Sequence, residues 1–478
     1  MFSFRPLRFA LLAILGLMLV PAAAVQAAPK MPIGFYDDPS FRWADEKTIP
    51  QNLLAAQKAN SSLIHVLADW RQIAPERPKN PLNGDDPAYN LSDLDALVRL
   101  APRYNQQVFI TISGTPGWAN GGQTSNHPPR NLDDLTQFAH MLAARYNGRR
   151  IGFGAVTRWA VWNEPNLALF LTPQFGAGGK IVSGATYAKL YMAAYTGIKA
   201  GNPGALVAAG ETSNRGHNRP TGGVSDSTAP ATFARAVALA NPKLPFDAWS
   251  THPYPSQYRL GPNQRVSYPN VALTNISKLG DSLRQWFHRR VPIWITEWAE
   301  QTAPECTRCA AQGGGVSHAQ QAKDVKAALA LAQANPYVEM FVYFILRDST
   351  SDTWFSGLIT KNGTKKPAYA AFAAAAKGID GQTQVVNPSA SAFTVKVDVP
   401  FLTYHDFAGT PVGVTYRIFL GKSIAAGGQP LVKLAADQTV SFKVKFKPAK
   451  GAAYLMTVDV NDKHGQHAKR TIALVSSS

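Results

Sequence analysis

The chain has 478 residues, of which 45% are hydrophobic, and this is enough to bury a full core in more than one domain. Its 34 prolines and 37 glycines show no period, so the composition fits neither a collagen-like chain nor bulk disorder. The formal net charge of +18 indicates either an anionic partner or substrate, or a surface that the charge keeps soluble.

The first 27 residues are predicted to be a signal peptide. Arg5 and Arg8 precede an apolar run at residues 9–20, and the small residues that follow end in Val25-Gln26-Ala27, which is similar to a signal-peptidase site. A membrane anchor is the alternative, but a run of about a dozen residues is shorter than the roughly 20 that span a bilayer. We therefore expect a mature protein that begins near Ala28 and is exported to the periplasm or the extracellular space.

The basic surface of an exported protein meets anionic polysaccharide or anionic membrane more often than nucleic acid. Paired basic residues recur along the chain, at 149–150, 289–290 and 365–366. We expect a polysaccharide or oligosaccharide partner, for which the charge favours an anionic polymer, and no nucleic acid. No stretch after the signal peptide is long and apolar enough to predict a membrane segment.

From about residue 30 to residue 378 the sequence repeats one unit, a short apolar strand followed by a loop and a helical pattern. The eight predicted strands are 33–36, 63–68, 108–113, 158–162, 206–209, 246–251, 293–296 and 340–346. Helical patterns follow at 91–100, 132–146, 186–200, 231–240, 273–288, 318–334 and 368–376. Eight such units predict an α/β fold, a (β/α)8 TIM barrel over residues 28–380. An open doubly wound sheet is the alternative, but the first strand is followed by Asp37-Asp38-Pro39-Ser40 rather than a glycine-rich phosphate turn.

Past the barrel the pattern changes to alternating strands without helices. Residues 381–392 are predicted to be a linker, and strands are expected at 393–399, 412–420, 439–446, 454–460 and 470–475. The sequence therefore predicts a small all-β, sandwich-like C-terminal domain over residues 393–478. Its role is open between carbohydrate binding and structural packing on the barrel.

The chain contains two cysteines, Cys306 and Cys309, in a C-x-x-C spacing. In a cytosolic protein this spacing is typical of a redox pair or of half a metal site. No second cysteine pair exists, and export implies an oxidising environment. We expect a disulfide that closes a small loop.

Two glutamates follow predicted strands at the end where TIM barrels place their active sites. Glu164 stands in Trp162-Asn163-Glu164-Pro165 after the fourth strand, and Glu297 stands in Thr296-Glu297-Trp298 after the seventh. Glycosidic cleavage needs one protonated carboxyl and one ionised carboxyl across a pocket. The sequence therefore predicts a glycosidase site between Glu164 and Glu297, whereas either glutamate alone would also fit an ion pair or a helix cap.

These motifs resemble a known family. Asn163-Glu164-Pro165 and Thr296-Glu297-Trp298 resemble the paired motifs of the clan A retaining glycoside hydrolases over about residues 30–378. Within that clan, His252-Pro253-Tyr254 after the sixth strand is most similar to glycoside hydrolase family 39. That family includes β-xylosidases, α-L-iduronidases and bacterial exopolysaccharide glycosidases, and the basic, exported chain with its β domain is most similar to the last group.

The resemblance implies a covalent glycosyl-enzyme intermediate, with Glu164 as the acid/base and Glu297 as the nucleophile. It also implies that Asn163 binds the sugar 2-hydroxyl and that Tyr254 donates its hydroxyl to Glu297. His252 is expected to bind substrate or to orient Tyr254, and a packed barrel histidine is the alternative.

Several further residues near strand ends are candidates for substrate binding. Trp118, Trp298 and Trp354 are expected to stack on sugar rings, with core packing as the alternative. Hydroxyl binding is a weaker prediction for Asp69-Trp70, Glu211 and Arg347-Asp348. Residues 212–229 and 301–316 are long loops that decide whether the cleft is an open groove or a closed pocket, and we expect a groove and endo action.

No motif predicts a metal or a cofactor. The chain lacks His-Glu-x-x-His, the Gly-x-Ser-x-Gly elbow and a phosphate loop. The rival to a glycosidase is a non-catalytic polysaccharide-binding or assembly protein that reuses a hydrolase barrel. The presence of both glutamates with their neighbours favours the enzyme.

Overall fold

The computed structural model describes residues 31–104, 106–150, 153–303, 305–306, 309–349, 354–379, 384–386, 392–398, 409–435, 439–449, 452–461 and 467–475. The predicted signal peptide lies outside these residues. Within these ranges, no helix combines the length and the apolar character needed to cross a membrane.

Eight parallel strands pair in sequence order, and the first pairs with the eighth, so the sheet closes into a barrel. The strands are β1 Ile33–Tyr36, β2 Leu63–Asp69, β3 Gln107–Ser113, β4 Arg158–Val161, β5 Leu206–Ser213, β6 Ala248–His252, β7 Ile293–Trp298 and β8 Val338–Phe344. The predicted TIM barrel is confirmed. All eight predicted strands overlap observed ones, and the differences are confined to strand ends.

One long helix follows each strand and covers the outside of the barrel. The eight are α1 Thr48–Lys58, α2 Ser92–Leu100, α3 Leu132–Arg145, α4 Ser183–Gly201, α5 Pro230–Ala240, α6 Ile276–Phe287, α7 His318–Ala334 and α8 Pro367–Ile379. Side-chain caps begin two of them, since Asn131 accepts the amide of Asp133 and Ser317 accepts that of Gln320. Helix α1 was not predicted, because Lys47 gives it no side-chain cap and so no capping residue marks its start.

Short helical segments occupy the loops between these elements. One-turn α-helices are Asp38–Phe41, Trp70–Ile73 and Gly117–Asn120. The 3-10 segments are Ala101–Tyr104, Ala177–Gly179, Gly223–Ser225, Tyr258–Asn263, Leu273–Asn275 and Ala310–Gln312.

The barrel has two separate apolar layers. One lies between the strands and the helices and takes most of the buried aliphatic and aromatic side chains. The other fills the barrel interior and is built mainly from residues in the first half of each strand: Leu63, Phe109, Ala160, Leu206, Ala208, Ala248, Trp294, Met340 and Val342. The interior is therefore a packed core, as expected for eight strands, and polar side chains occupy its carboxyl end.

The seam between β1 and β8 is closed by a side chain as well as by strand pairing. Asp37, directly after β1, is 1% exposed. Its Oδ2 accepts the backbone N–H groups of Leu346 and Arg347, each at 3.0 Å, and its Oδ1 accepts that of Ser40 at 2.9 Å. Three hydrogen bonds thus satisfy a buried carboxyl and join the two ends of the barrel sequence.

The C-terminal residues form two antiparallel sheets. The strands are β9 Gln384–Val386, β10 Phe393–Asp398, β11 Pro411–Leu420, β12 Ser423–Gly428, β13 Leu431–Lys433, β14 Thr439–Val444, β15 Ala453–Asn461 and β16 His467–Val475. One sheet has the order β14-β10-β9, and the other has the order β12-β11-β15-β16 with β13 beside β11. Both sheets contribute to one core, which includes Val395, Val414, Phe442 and Met456, and this is a sandwich. Strand β9 lies within the stretch predicted as a linker and pairs with β10.

Candidate active site

Glu164 and Glu297 reach one cavity at the carboxyl end of the barrel. Glu164 lies three residues past β4 and Glu297 lies within β7. Both line a cavity of about 620 Å³, together with Asn163, Tyr254 and Trp354. The residues expected at the centre of a glycosidase site are therefore brought together.

A single buried imidazole lies between the two carboxyls. His252 Nδ1 is 3.1 Å from Glu164 Oε1 and 3.6 Å from Glu297 Oε2. The separation of these two oxygens cannot exceed the two distances combined, which excludes all but the lower edge of the roughly 6.5–9.5 Å range of inverting enzymes. The His252 side chain is fully buried, so it lies beneath the carboxyls and not on the cavity surface. The expected direct contact of His252 with substrate does not fit this position.

Tyr254 holds the other side of Glu297. Its hydroxyl donates to Glu297 Oε2 at 2.8 Å, which is the contact that the resemblance implied. The Tyr254 ring lies 5.7 Å from the Trp354 ring and 6.4 Å from the Phe344 ring. Aromatic side chains thus form one wall of the cavity beside Glu297.

Backbone conformation aims these side chains. Positive φ values, which residues other than glycine rarely adopt, occur at Trp162 (+70°), Glu164 (+39°) and Glu211 (+48°). The pairing of β5 with β6 shifts register between Ala209 and Thr212, so Glu211 lies in an irregularity of the strand. Bulges of this kind re-aim side chains near active sites, and strained backbone is common there.

The titrating groups of the site act strongly on one another. Burial raises the pKa of Glu297 to about 8, and the charges of Glu164 and Glu211 act in the same direction, against His252 and the Tyr254 hydroxyl. Burial would lower the pKa of His252, but the charge of Glu297 and the contacts with Glu164 and Glu211 outweigh it and raise that pKa well above its usual value. At neutral pH the free site therefore holds an imidazolium and a carboxyl proton.

Two of the three candidate tryptophans lie away from the cavity. Trp298 is 1% exposed and packs against Phe341 and Tyr343, because strand alternation turns it outward when Glu297 points inward. Trp118 donates to the carbonyl of Ala74 and packs edge-on against Trp70. The predicted stacking role therefore fits the position of Trp354 alone.

The weaker hydroxyl-binding candidates are engaged elsewhere. Asp69 caps a helical turn and pairs with Arg71, and Arg347 donates to Asn52. Asp348 forms a buried ion pair of 2.7 Å with Lys366. Trp70 and Glu211 are buried. None of these side chains is among those that line the cavity.

Sequence reasoning missed several cavity residues. Tyr36 and Phe344 are the last residues of β1 and β8, so attention to the final residue of each strand would have found them. Ser213 and Arg215, at and after the end of β5, also line the cavity, as does Phe170. Phe170 gave no signal, since its position depends on the fold of the loop after β4.

The structure joins Cys306 and Cys309 in a disulfide, as expected from the spacing. The pair packs with Tyr258 and Val316, and Tyr258 lines the cavity. Within the residues that the structure covers, no group of three or more His, Cys, Asp or Glu side chains is placed to hold a metal ion.

Comparison with solved structures supports this architecture. A family 39 glycoside hydrolase from the gut symbiont Bacteroides cellulosilyticus WH2 superposes with a TM-score of 0.51 at 16% identity, covering 86% of this chain and 80% of that one. A GH5_18 protein from Streptomyces cattleya, solved with GlcNAc, gives a TM-score of 0.51 at 16% identity over 73% and 80% of the two chains. At such identities these similarities show the fold. No curated protein matches the sequence.

The sequence itself matches Glycosyl hydrolases family 39 over residues 64–410, which is more than half of the chain. The match spans the strands that carry Glu164, His252 and Glu297. This chain belongs to glycoside hydrolase family 39, whose members cleave O-glycosidic bonds with retention.

Proposed function

We propose that this protein is an exported glycosidase that cleaves a polysaccharide, with Glu164 as the acid/base and Glu297 as the nucleophile. The observation that carries the proposal is that both carboxyls line one cavity and contact the same buried imidazole beneath it. We expect a single pyranose placed over that pair to touch both groups. Family membership supplies the reaction class, and the geometry supports the roles of the two residues.

The proton distribution separates the two roles. In the productive state Glu164 carries the proton and Glu297 is the anion. The Tyr254 hydroxyl donates to Glu297 Oε2, and the charged His252 ring lies 3.6 Å from the same oxygen. The hydrogen bond and the nearby positive charge both favour the ionised form of the carboxyl. Glu164 retains 16% side-chain exposure, so it is open to the leaving oxygen and, later, to water.

The reaction then proceeds in two displacements. Glu164 transfers its proton to the glycosidic oxygen as Glu297 attacks the anomeric carbon, which forms a glycosyl ester and frees the leaving sugar. Glu164, now ionised, takes a proton from water as that water attacks the anomeric carbon and breaks the ester. Asn163, beside Glu164 at the cavity surface, would bind the sugar 2-hydroxyl, a contact that strengthens in the transition state.

We further propose endo action on a long polymer. The cavity of about 620 Å³ is larger than one sugar ring, and its lining extends along the loops after β4 and β5. Two exposed apolar side chains, Leu169 at 56% and Val224 at 68%, belong to this lining. A surface of this extent favours a substrate that continues past the cleavage point.

Arg215 favours an acidic polymer as the substrate. Its side chain lines the cavity, and no ion pair or side-chain hydrogen bond of Arg215 occurs among the described residues. The neighbouring backbone is held by hydrogen bonds from Asn214 to the Tyr254 carbonyl, 2.7 Å, and from Gly216 to Asn270, 3.0 Å. A guanidinium that lines the cavity without a partner, on a backbone that is held in place, suits a carboxylate or a sulfate.

The test compares wild type, Glu164→Gln and Glu297→Gln on a panel of uronate-containing polysaccharides and on the same polymers after reduction of their carboxyls to alcohols. Reducing ends and product lengths are measured. We expect wild-type cleavage to mixed oligosaccharides, a loss of roughly 10⁴-fold or more in both variants, and retained binding by Glu297→Gln. Turnover by Glu297→Gln would refute its role.

The remaining outcomes are also decisive. Equal wild-type rates on native and reduced polymers would refute the acidic substrate, and release of single sugars alone would refute endo action. Binding without cleavage of any polymer would favour the non-catalytic carbohydrate-binding alternative. Azide rescue with an activated glycoside distinguishes the acid/base from the nucleophile. Glu164→Ala should yield a glycosyl azide of retained configuration, and Glu297→Ala should yield one of inverted configuration.

Export is part of the proposal and rests on the N-terminal sequence pattern. We expect the intact mass of the protein recovered outside the cytoplasm to correspond to a chain that begins near Ala28. A full-length chain retained in the membrane fraction would contradict this.

A further inference from the structure

Glu211 is a buried carboxyl that the two displacements described above do not use. Its side chain is fully buried, so it cannot touch a substrate. Its Oε2 lies 3.2 Å from His252 Nε2, on the side of the ring opposite to the catalytic carboxyls. Glu211, His252 and the Glu164–Glu297 pair therefore form one continuous polar chain from the barrel interior to the cavity.

Glu211 is also joined to Glu164 through the backbone. The Glu164 N–H donates to the Glu211 carbonyl at 2.9 Å. The Glu211 N–H donates to Ser250 Oγ at 2.8 Å, and this hydroxyl lies 3.2 Å from the Ala209 carbonyl. The conformation that allows these contacts has positive φ at both glutamates. It is an arrangement that the surrounding structure has to hold in place.

Gly210 makes this arrangement possible. Its φ is +112°, and a Cβ atom at this position would lie 2.5 Å from the Ser250 carbonyl oxygen. Its N–H donates to the Tyr187 hydroxyl at 2.7 Å, which in turn donates to the Val161 carbonyl at 3.0 Å. The strand irregularity at residues 210–211 is thus tied to β4 as well as to β6, and it turns the Glu211 side chain toward His252.

The chemistry of an imidazole explains what Glu211 does there. A neutral ring has one N–H group and one lone pair, so it can donate to Glu211 or to the catalytic carboxyls, but not to both sides. An imidazolium donates from both nitrogens. A buried anion at Nε2 therefore stabilises the charged ring, which places a positive charge and an N–H group directly under Glu164 and Glu297.

We infer that Glu211 is a positioning residue that keeps His252 protonated and oriented, and so sets the pH range over which Glu164 and Glu297 work as acid and nucleophile. The inference rests on the proposed roles of those two glutamates. The pKa directions agree with the geometry. Burial opposes ionisation of Glu211, but the hydrogen bond and charge of His252 outweigh it and lower the Glu211 pKa.

Other titratable groups surround Glu211, His252 and Glu297 and affect their protonation. Tyr254 faces Glu297 from the segment after β6, and Tyr36 faces Glu297 and Glu211 from β1. Burial raises the pKa of both tyrosines well above the usual value, so both hydroxyls stay neutral. His65 on β2 also interacts with Glu211 and His252, and burial lowers its pKa to about 4, so it is neutral as well. Glu211 is therefore the anion that pairs with the inner nitrogen of His252.

The first test measures His252 directly and does not depend on a substrate. The ring nitrogens of labelled histidine are followed by NMR against pH in wild type and Glu211→Gln, with the His252 signals assigned by their loss in His252→Gln. We expect wild-type His252 to remain an imidazolium through neutrality and its pKa to fall by about 1–3 units in Glu211→Gln. An unchanged His252 titration would overturn the inference, whether or not the protein cleaves any sugar.

The second test is the pH dependence of kcat/KM on a cleaved polymer. Loss of the imidazolium disfavours both carboxylates, so both limbs of the profile should move to higher pH in Glu211→Gln, and the rate at the wild-type optimum should fall roughly 100-fold. Glu211→Asp keeps a charge but holds it farther from the ring, so its profile should move in the same direction by a smaller amount. A rate loss without displacement of the Glu211→Gln profile would mean that Glu211 is only structural.

Glu300→Gln is the matched control. Glu300 is also 1% exposed and lies three residues after Glu297, but no contact joins it to His252, and burial raises its pKa to about 10, so it is already neutral. We expect its profile to superpose on that of wild type. If Glu211→Gln does not fold, Glu211→Asp carries the NMR test, since shortening the side chain by one methylene should still lower the His252 pKa. An unchanged His252 pKa in Glu211→Asp would also contradict the inference.

Discussion

The two ends of the barrel interior differ in polarity. The half near the strand starts is apolar, with Phe109, Trp294 and Met340 in one packed cluster. The carboxyl end holds three glutamates, each within hydrogen-bond or ion-pair distance of one histidine. Burial of apolar surface stabilises the first region, whereas burial of charge costs free energy in the second. The protein therefore gains stability from the apolar half of the barrel interior and loses some of it at the reactive carboxyl end.

The largest effect is expected from breaking the apolar half. Phe109 is fully buried, stacks on His65 with ring centroids 4.1 Å apart and meets Trp294 edge-on at 5.7 Å. Phe109→Ala should lower the free energy of unfolding by about 3–5 kcal/mol. Urea unfolding followed by tryptophan fluorescence measures this. The position of the pH–rate profile should stay the same, and a loss below 1 kcal/mol would show that the apolar half is not the stabilising region.

A smaller effect is expected from removing one donor at the carboxyl end. Tyr254→Phe deletes the hydrogen bond to Glu297, and a hydrogen bond to a charged group contributes about 1.5–3 kcal/mol. We therefore expect kcat/KM to fall about 10–100-fold and the acidic limb to move to higher pH, because the Glu297 pKa rises further. Tyr343→Phe is the control, since its buried hydroxyl donates to the Ser356 carbonyl away from the cavity. A similar shift of the acidic limb in Tyr343→Phe would show that the shift in Tyr254→Phe does not depend on the hydrogen bond to Glu297.

The smallest effect concerns stability and has the opposite sign. Since the Glu297 pKa is about 8 in the folded protein and 4.5 in its ordinary state, the folded form holds a proton that the unfolded chain releases between these values. The free energy of unfolding therefore decreases as pH rises from about 4.5 to about 8. Glu297→Gln removes this loss and should stabilise the protein by about 1–3 kcal/mol at pH 8.

That prediction is checked by thermal unfolding of wild type and Glu297→Gln at pH 4 and pH 8. The two proteins should unfold at similar temperatures at pH 4, where wild-type Glu297 is protonated in both states. A gap that is as large at pH 4 as at pH 8 would attribute the effect to packing rather than to charge.

The two ends also differ in how much the sequence revealed. Apolar runs and helical periods predicted all eight strands, and a strand-end rule placed Glu164 and Glu297 together, because parallel strands of a barrel end on one face. The stacking role predicted for Trp298 was wrong because β7 runs to residue 298. Successive side chains of a strand point to opposite faces, so Trp298 points away from the cavity that Glu297 faces. Trp118 depended on a loop whose path a one-dimensional pattern does not contain.

Glu211 shows the physical limit most directly. Its inward orientation depends on a register shift and a positive φ, neither of which changes hydrophobic periodicity. Gly210 inside a strand was the available signal, since an isolated glycine in a strand often marks a bulge or a close approach. The paired acidic and imidazole groups depend on three-dimensional distances between strands, which no local pattern encodes.

The seam between β1 and β8 has a consequence for how the chain matures. Asp37 accepts two amides from residues 346 and 347, and β1 pairs with a strand that ends at Phe344. Until some three hundred further residues emerge from the ribosome, β1 has an open edge that other chains can join. This long interval makes late ring closure the step at which a truncated product would aggregate.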